Sequence, residues 1–267
     1  MKKGVSGMAS NELLVRKESG VLVVTLNRPD KMNALNKDMF DALKKLVDVV
    51  ETDKTARVII LTGAGDKAFC VGADLKERQG MNEKDVALRM DSVRQLYLRL
   101  ERLPVPIIAA INATALGGGL ELALTADLRV AGENVMFGFP ETDLGIIPGN
   151  GGTQRLPRLI GMPKALEMVL LAKRIPAGEA LKLGLVQSVV APGQAMAHAM
   201  TWANKILEAG PIAIRAAKAA IRGGMERSYE HGLQFELESY KACLYSKDRL
   251  EGLKAFSEKR KPVYKGE

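Results

Sequence analysis

The 267-residue chain is 47% hydrophobic and 26% charged, a globular balance with length enough for one α/β core and a smaller attached unit, and its two cysteines exclude a disulfide scaffold. Only 4% of residues are aromatic, which speaks against a base-stacking surface for nucleic acid, and the two histidines, His198 and His231, have no cysteine cluster beside them, so no metal site is expected. The surplus of +8 charges is interleaved with acids and contains no long like-charge run, so it fits a mixed solvated surface with room for one polyanionic small molecule.

The N-terminal residues Met1-Lys2-Lys3-Gly4 are basic, but no apolar run follows, so no signal peptide is expected. No stretch of about 18 apolar residues offers a membrane span, and a cytoplasmic location is expected. Val21–Leu26 is apolar and β-branched, predicts a strand, and ends at the turn cluster Asn27-Arg28-Pro29-Asp30. Asn36 can cap the next helix, on which Met39, Leu43, Leu46, Val47 and Val50 recur at helical spacing. Val58–Leu61 is a second strand, stopped by Gly63-Ala64-Gly65-Asp66. Gly63–Ala68 matches the dinucleotide fingerprint G-x-G-x-x-A, but Phe69-Cys70-Val71-Gly72 favours extended chain where that motif needs a helix, so a Rossmann site is not expected.

A helix is predicted from Glu83 to Leu100, with Val86, Met90, Val93, Leu96, Tyr97 and Leu100 on one face, followed by Pro104-Val105-Pro106 and a buried strand, Ile107–Ile111. Strands this continuously apolar imply a sheet covered on both faces, and their alternation with helices gives the α/β class. From about Ala195 the pattern is helical only: Ala195–Leu207, Ile212–Arg222, Tyr229–Leu244 and Lys247–Phe256, ahead of a basic, irregular tail. The expected division is a core of residues 1–192 and a helical C-terminal subdomain of residues 193–267.

Three segments carry chemistry. Leu116-Gly117-Gly118-Gly119-Leu120-Glu121 follows a strand and opens a helix, so free N–H groups and the positive end of the helix dipole face whatever lies at its start. Glu121 sits inside an apolar run, where a carboxylate caps its own helix, faces solvent or does chemistry. A second carboxylate, Glu141, precedes the Gly-rich loop Gly149-Asn150-Gly151-Gly152 and another helix start. Two such glutamates suggest an acid/base pair whose pKa values are pushed apart by burial and mutual repulsion; the bland alternative is a capping residue beside a turn. The third segment, Ala68–Glu77, says little alone.

Taken together, these segments resemble the crotonase (enoyl-CoA hydratase/isomerase) superfamily. The likeness runs from Leu26-Asn27-Arg28-Pro29 and Asn33-Ala34-Leu35, through Gly184-Leu185-Val186, to Glu251–Arg260. Within the superfamily it is nearest to hydratases of the AU-rich-RNA-binding methylglutaconyl-CoA type and to short-chain enoyl-CoA hydratases. The resemblance implies a ClpP/crotonase-like spiral of ββα repeats, and a helical C-terminal unit that builds trimers, commonly paired into hexamers. It implies an oxyanion hole from the N–H groups of Ala73 and Gly118, a water held between Glu121 and Glu141, and a water-orienting N–H at Gly149. An acyl-CoA is the implied substrate, so coenzyme A arrives with it and no separate cofactor is expected. Arg28, Lys31 and Ala34 would lie near its phosphate and pantetheine parts, Val71, Ala73, Asp74 and Leu75 around its adenine, and Phe256 and Lys259 at the nucleotide end, from a neighbouring subunit or the same one. A glutamate at both positions points to hydration, in fatty-acid or branched amino-acid degradation, over isomerisation or another crotonase-type reaction. RNA binding is not expected, because Lys37, Lys44 and Lys45 on the first helix share it with Asp38, Asp41, Asp48 and Glu51. Asn150 departs from the Gly or Ala usual at its place, as Ala113 does from Gly.

Overall fold

Neighbouring residues of the apolar strands point to opposite faces, and in this chain both faces are buried. In the computed structural model, which describes residues 10–53 and 55–267, β1 (Leu13–Glu18) and β2 (Val21–Leu26) form a hairpin and α1 (Lys37–Val50) leads to β3 (Val58–Gly63). The order then repeats: β4 (Ala68–Cys70) with α2 (Leu75–Gln79) and α3 (Glu83–Arg102); β5 (Ile107–Ile111) and β6 (Thr114–Leu116) with α4 (Gly118–Ala123); β7 (Leu128–Gly132) and β8 (Met136–Gly138) with α5 (Gly152–Ile160) and α6 (Met162–Leu170). After β9 (Arg174–Pro176), α7 (Ala177–Lys182) and β10 (Ser188–Val190) come α8 (Ala195–Leu207), α9 (Pro211–Gly224), α10 (Tyr229–Leu244) and α11 (Lys247–Ser257). The N-terminal residues on which the signal-peptide expectation rests lie outside the described residues.

One sheet has the order β1-β2-β3-β5-β7-β10 and the other β4-β6-β8-β9. Each is parallel except at one edge, β1–β2 and β8–β9 respectively. Each repeat therefore lays one strand in the first sheet and the next in the second before its helix, which makes a spiral of ββα units. The segment that mimicked a dinucleotide fingerprint runs into β4, not into a helix.

Leu22, Val24, Leu26, Ile59, Leu61, Ile107, Ala109 and Ile111 face one core, while Val21, Val23, Val58, Ile60, Ile108 and Ala110 face a second. The second core is closed by α8 through Ala195, Ala199 and Ala203, spaced at one helical turn so that small side chains let the helix lie close to the sheet. The division expected at residue 192 falls just before α8, but α8 is part of the sheet's own packing. Only α9–α11 stand off it, burying little beyond Pro211, Asp248 and Ala255. The basic tail has no regular structure yet is fastened: Asp248 accepts from the N–H groups of Lys265 and Gly266, and Glu251 from that of Val263.

Candidate active site

The sequence around Asn27–Leu35 folds as it does because Asn33 is buried in a left-handed conformation (φ 55°), which Asn tolerates better than most residues. Its Nδ2 donates to the carbonyls of Ala64 and Ala68 (2.9 and 2.8 Å), and its Oδ1 accepts from Arg28 N (2.9 Å), joining three segments. Leu35 then makes a parallel bridge beside Ala73: Leu35 N donates to Gly72 O (2.8 Å) and Asp74 N to Leu35 O (3.0 Å). Parallel pairing turns the Ala73 N–H away from Leu35, and it finds no acceptor among the described residues.

A second unspent donor lies beside it. Gly117, at φ 52°, turns the chain out of β6 and into α4, so the Gly118 N–H becomes the first of the helix and has no acceptor among the described residues. A Cβ on Gly72 would sit 3.0 Å from Gly118 N, and one on Gly118 would sit 3.7 Å from Ala73 N, so the two donors share one place. The helix can start there because Gly119 lacks a side chain; a Cβ would fall 2.2 Å from Cys70 O. Buried Tyr97 of α3 fixes the same turn by donating to Gly118 O at 3.1 Å. Two such N–H groups can hold an oxygen that gains negative charge during a reaction.

Both glutamates face this helix start. Glu121 is 1% exposed and Glu141 9%. A Cβ on Gly117 would lie 2.9 Å from Glu141 Oε1, and one on the adjacent Gly118 would lie 3.9 Å from Glu121 Oε2, so the carboxylates converge on neighbouring residues. Their surroundings differ. Glu121 Oε1 accepts from Asn150 N (2.7 Å) and Gly152 N (2.8 Å), and its Oε2 accepts from Asn150 Nδ2 (3.0 Å). Glu141, held on a 3-10 turn at Pro140–Leu144, has a buried Oε2 with no partner. Burial raises both pKa values: Glu121 is raised against the pull of its three donors, and Glu141 is pushed up to about 7 by burial first and by the Glu121 charge in addition. Of the two, Glu141 is the better place for a proton.

The loop that supplies these donors is braced. Arg155 donates to Asn150 O (3.0 Å) and to Glu101 (2.7 and 2.9 Å), and Glu101 also pairs with Arg222 of α9 (2.7 Å). The Gly149 N–H has no acceptor among the described residues, and Met90 of α3 packs where a Gly149 side chain would stand. The side chains of Tyr97 and Arg155 are not singled out for the site by the sequence, which marks Asn150 only as a departure beside the water-positioning loop. The available signal was weak: buried polar groups need partners, and Tyr97 lies on the apolar face of a predicted helix.

Of the residues assigned to a coenzyme A site, Arg28, Ala34 and Asp74 come together. Arg28 Nη1 donates to Ala34 O (2.6 Å) and Asp74 Oδ2 (2.9 Å), and Asp74 also caps α2 through Lys76 N and Glu77 N. Arg28 further pairs with Glu12 at 3.5 Å, so much of its charge is matched within the chain. Lys31 is exposed nearby, Val71 is half-buried, and Leu75 is exposed at the start of α2. Phe256, 85% exposed, and Lys259 lie at the end of α11, whose polar contacts run to the end of α10 and to the tail. No polar contact joins those two to Arg28, Asp74 or the start of α4 among the described residues. There too, no three His, Cys, Asp or Glu side chains form a metal-holding group.

Residues 16–267 match the enoyl-CoA hydratase/isomerase family, and the chain belongs to it. It is 43% identical over 254 residues to a short-chain-enoyl-CoA hydratase of Clostridium acetobutylicum, covering 95% of this chain and 97% of that one. It is 45% identical over 265 residues to the mitochondrial methylglutaconyl-CoA hydratase of Mus musculus, covering 96% and 84%. The crystal structure of an enoyl-CoA hydratase from Bacillus anthracis superposes with a TM-score of 0.94 at 47% identity, covering 96% of this chain and 100% of that one.

Proposed function

We propose that this member of the enoyl-CoA hydratase/isomerase family adds water across the C2=C3 bond of short-chain 2-enoyl-CoA thioesters, with Glu121 and Glu141 as base and acid. The carrying observation is the pair of unequally solvated, buried carboxylates beside two unspent main-chain donors. The thioester oxygen accepts from the N–H groups of Ala73 and Gly118, which grip it more tightly as the enolate forms. Glu121, the carboxylate better supplied with N–H donors, takes a proton from a water oriented by the Gly149 N–H as its oxygen bonds to C3. Glu141 gives its proton to C2. One water is consumed, and the acid and base exchange protons with solvent to reset.

Coenzyme A enters with the substrate, and no separate cofactor takes part. Arg28, Lys31, Ala34, Val71, Asp74 and Leu75 form the edge for its phosphates, pantetheine and adenine. A homo-oligomer, a trimer or a pair of trimers, is supported by the apolar side chains that α9–α11 leave exposed, among them Ile221, Leu237, Leu253 and Phe256. Such an assembly would bring Phe256 and Lys259 to a neighbour's nucleotide edge. On α1, Lys37 is paired with Asp41, and Asp48 and Glu51 hold Arg99, which argues against a phosphate-binding stripe for RNA. No helix among the described residues is long and apolar enough to cross a membrane, and two free thiols, Cys70 and Cys243, suit a reducing cytoplasm.

The test is loss of enoyl-thioester absorbance when the purified protein meets crotonyl-CoA, with gel filtration for the assembly. Turnover to 3-hydroxybutyryl-CoA is expected; a protein that binds crotonyl-CoA and leaves it unchanged would refute the hydration assignment.

A further inference from the structure

Asn150 meets Glu121 twice, through its main-chain N–H on Oε1 and its Nδ2 on Oε2. A carboxylate only accepts hydrogen bonds, so the amide nitrogen must face Glu121 and the amide oxygen must face away. That oxygen, Oδ1, is buried and has no partner, like Glu141 Oε2. Buried acceptors are rarely left so. The main chain around it is held, by Arg155 at Asn150 O and by the bond from Gly152 N to Glu121, and the amide itself is held by its Nδ2 bond to Glu121 Oε2.

A water molecule carries two O–H donors. When Glu141 bears the proton that C2 requires, Glu121 is the sole charged acceptor left, and the second O–H needs another. We infer that Asn150 is a third side chain of the hydration step: its Oδ1 accepts the hydrogen of the attacking water that is not transferred, while its Nδ2 keeps Glu121 aimed at the other. This rests on the hydration assignment above. The water oxygen bonds to C3, one hydrogen passes to Glu121, and the π electrons take the Glu141 proton at C2. The remaining hydrogen stays on oxygen throughout, so the 3-hydroxyl of the product keeps its hydrogen bond to Asn150 Oδ1.

The experiment compares two reactions of one site: hydration of crotonyl-CoA, and exchange of the C2 hydrogen of butyryl-CoA in D2O, which uses the carbonyl grip and an acid/base but adds no water. In Asn150→Ala, hydration is expected to fall about 10- to 100-fold, with exchange reduced less than about threefold, since the main-chain donors of Asn150 and Gly152 still hold Glu121. In Asn150→Asp the new carboxyl is isosteric. Protonated, it offers an O–H to Glu121 and a carbonyl to water, so hydration is expected to hold at the acid end of the pH profile and to fall as pH rises and both carboxylates ionise. Equal loss of both reactions in Asn150→Ala, hydration at the wild-type rate in that variant, or a wild-type pH profile in Asn150→Asp would each overturn the inference. A wild-type enzyme that exchanges C2 hydrogen but never hydrates crotonyl-CoA overturns the hydration assignment itself, and this inference with it.

Discussion

The two sides of the site treat a buried carboxylate in opposite ways. The side made by α4 and the loop at residues 148–152 meets the Glu121 oxygens with three N–H groups. The side made by the 3-10 turn at Pro140–Leu144 leaves Glu141 Oε2 without a donor. The more buried carboxylate is nevertheless the better solvated by the protein: N–H groups replace the lost water around Glu121, 1% exposed, and none reaches Oε2 of Glu141, 9% exposed, so the first is the better base and the second the better acid. A symmetrical site would not separate a base from an acid.

The strongest way to break this contrast is to remove either charge. Glu141→Gln and Glu121→Gln are each expected to lower turnover of crotonyl-CoA by about 100- to 10,000-fold, measured at steady state; a variant that keeps half its rate shows that its side of the site is not needed. The contrast sharpens in stability. Folding raises Glu141 from its ordinary 4.5 to about 7, so the folded chain holds more protons than the unfolded one between those values. Its contribution to stability therefore declines as pH rises from about 4.5 to 7 and stays low above. Glu141→Gln is then expected to gain on the order of 1–3 kcal/mol at pH 8 and little at pH 4, read as Tm at the two pH values. Glu121→Gln, whose amide must face a ring of donors, is expected to gain less at pH 8; a larger gain there would reverse the contrast. In wild type, kcat/KM is expected to fall above pH about 7 as Glu141 loses its proton. The smallest effect expected is for Tyr97→Phe, which deletes the bond to Gly118 O: about 1 kcal/mol of stability, read by urea titration, with turnover down less than about tenfold.

Much of the scaffold was legible because periodicity reports burial. Asn36 caps α1 through Met39 N, α8 and α10 have the bounds that their patterns suggested, and the strand at Ile107–Ile111 is buried throughout. The short strands β4, β6, β8 and β9 were not separable from loops, since three residues carry no period. β1 hides only Leu13 fully and exposes much of its length as an edge strand. α8 was assigned to a separate C-terminal unit because an apolar stripe states that a helix packs and not against what; its partner proved to be the sheet.

Glu121, Glu141 and the glycines around them stood out in the chain because a carboxylate in an apolar run and three adjacent glycines are each costly unless used. The sequence by itself determined those residues, the α/β class and the family. Tertiary structure alone decided which carboxylate is solvated by N–H groups and which is not, that the Ala73 and Gly118 donors lie side by side, and that Asn150 faces Glu121. Those are distances between segments far apart in the chain, and hydrogen bonding depends on such distances to a few tenths of an ångström, whereas composition and spacing report only what each segment buries.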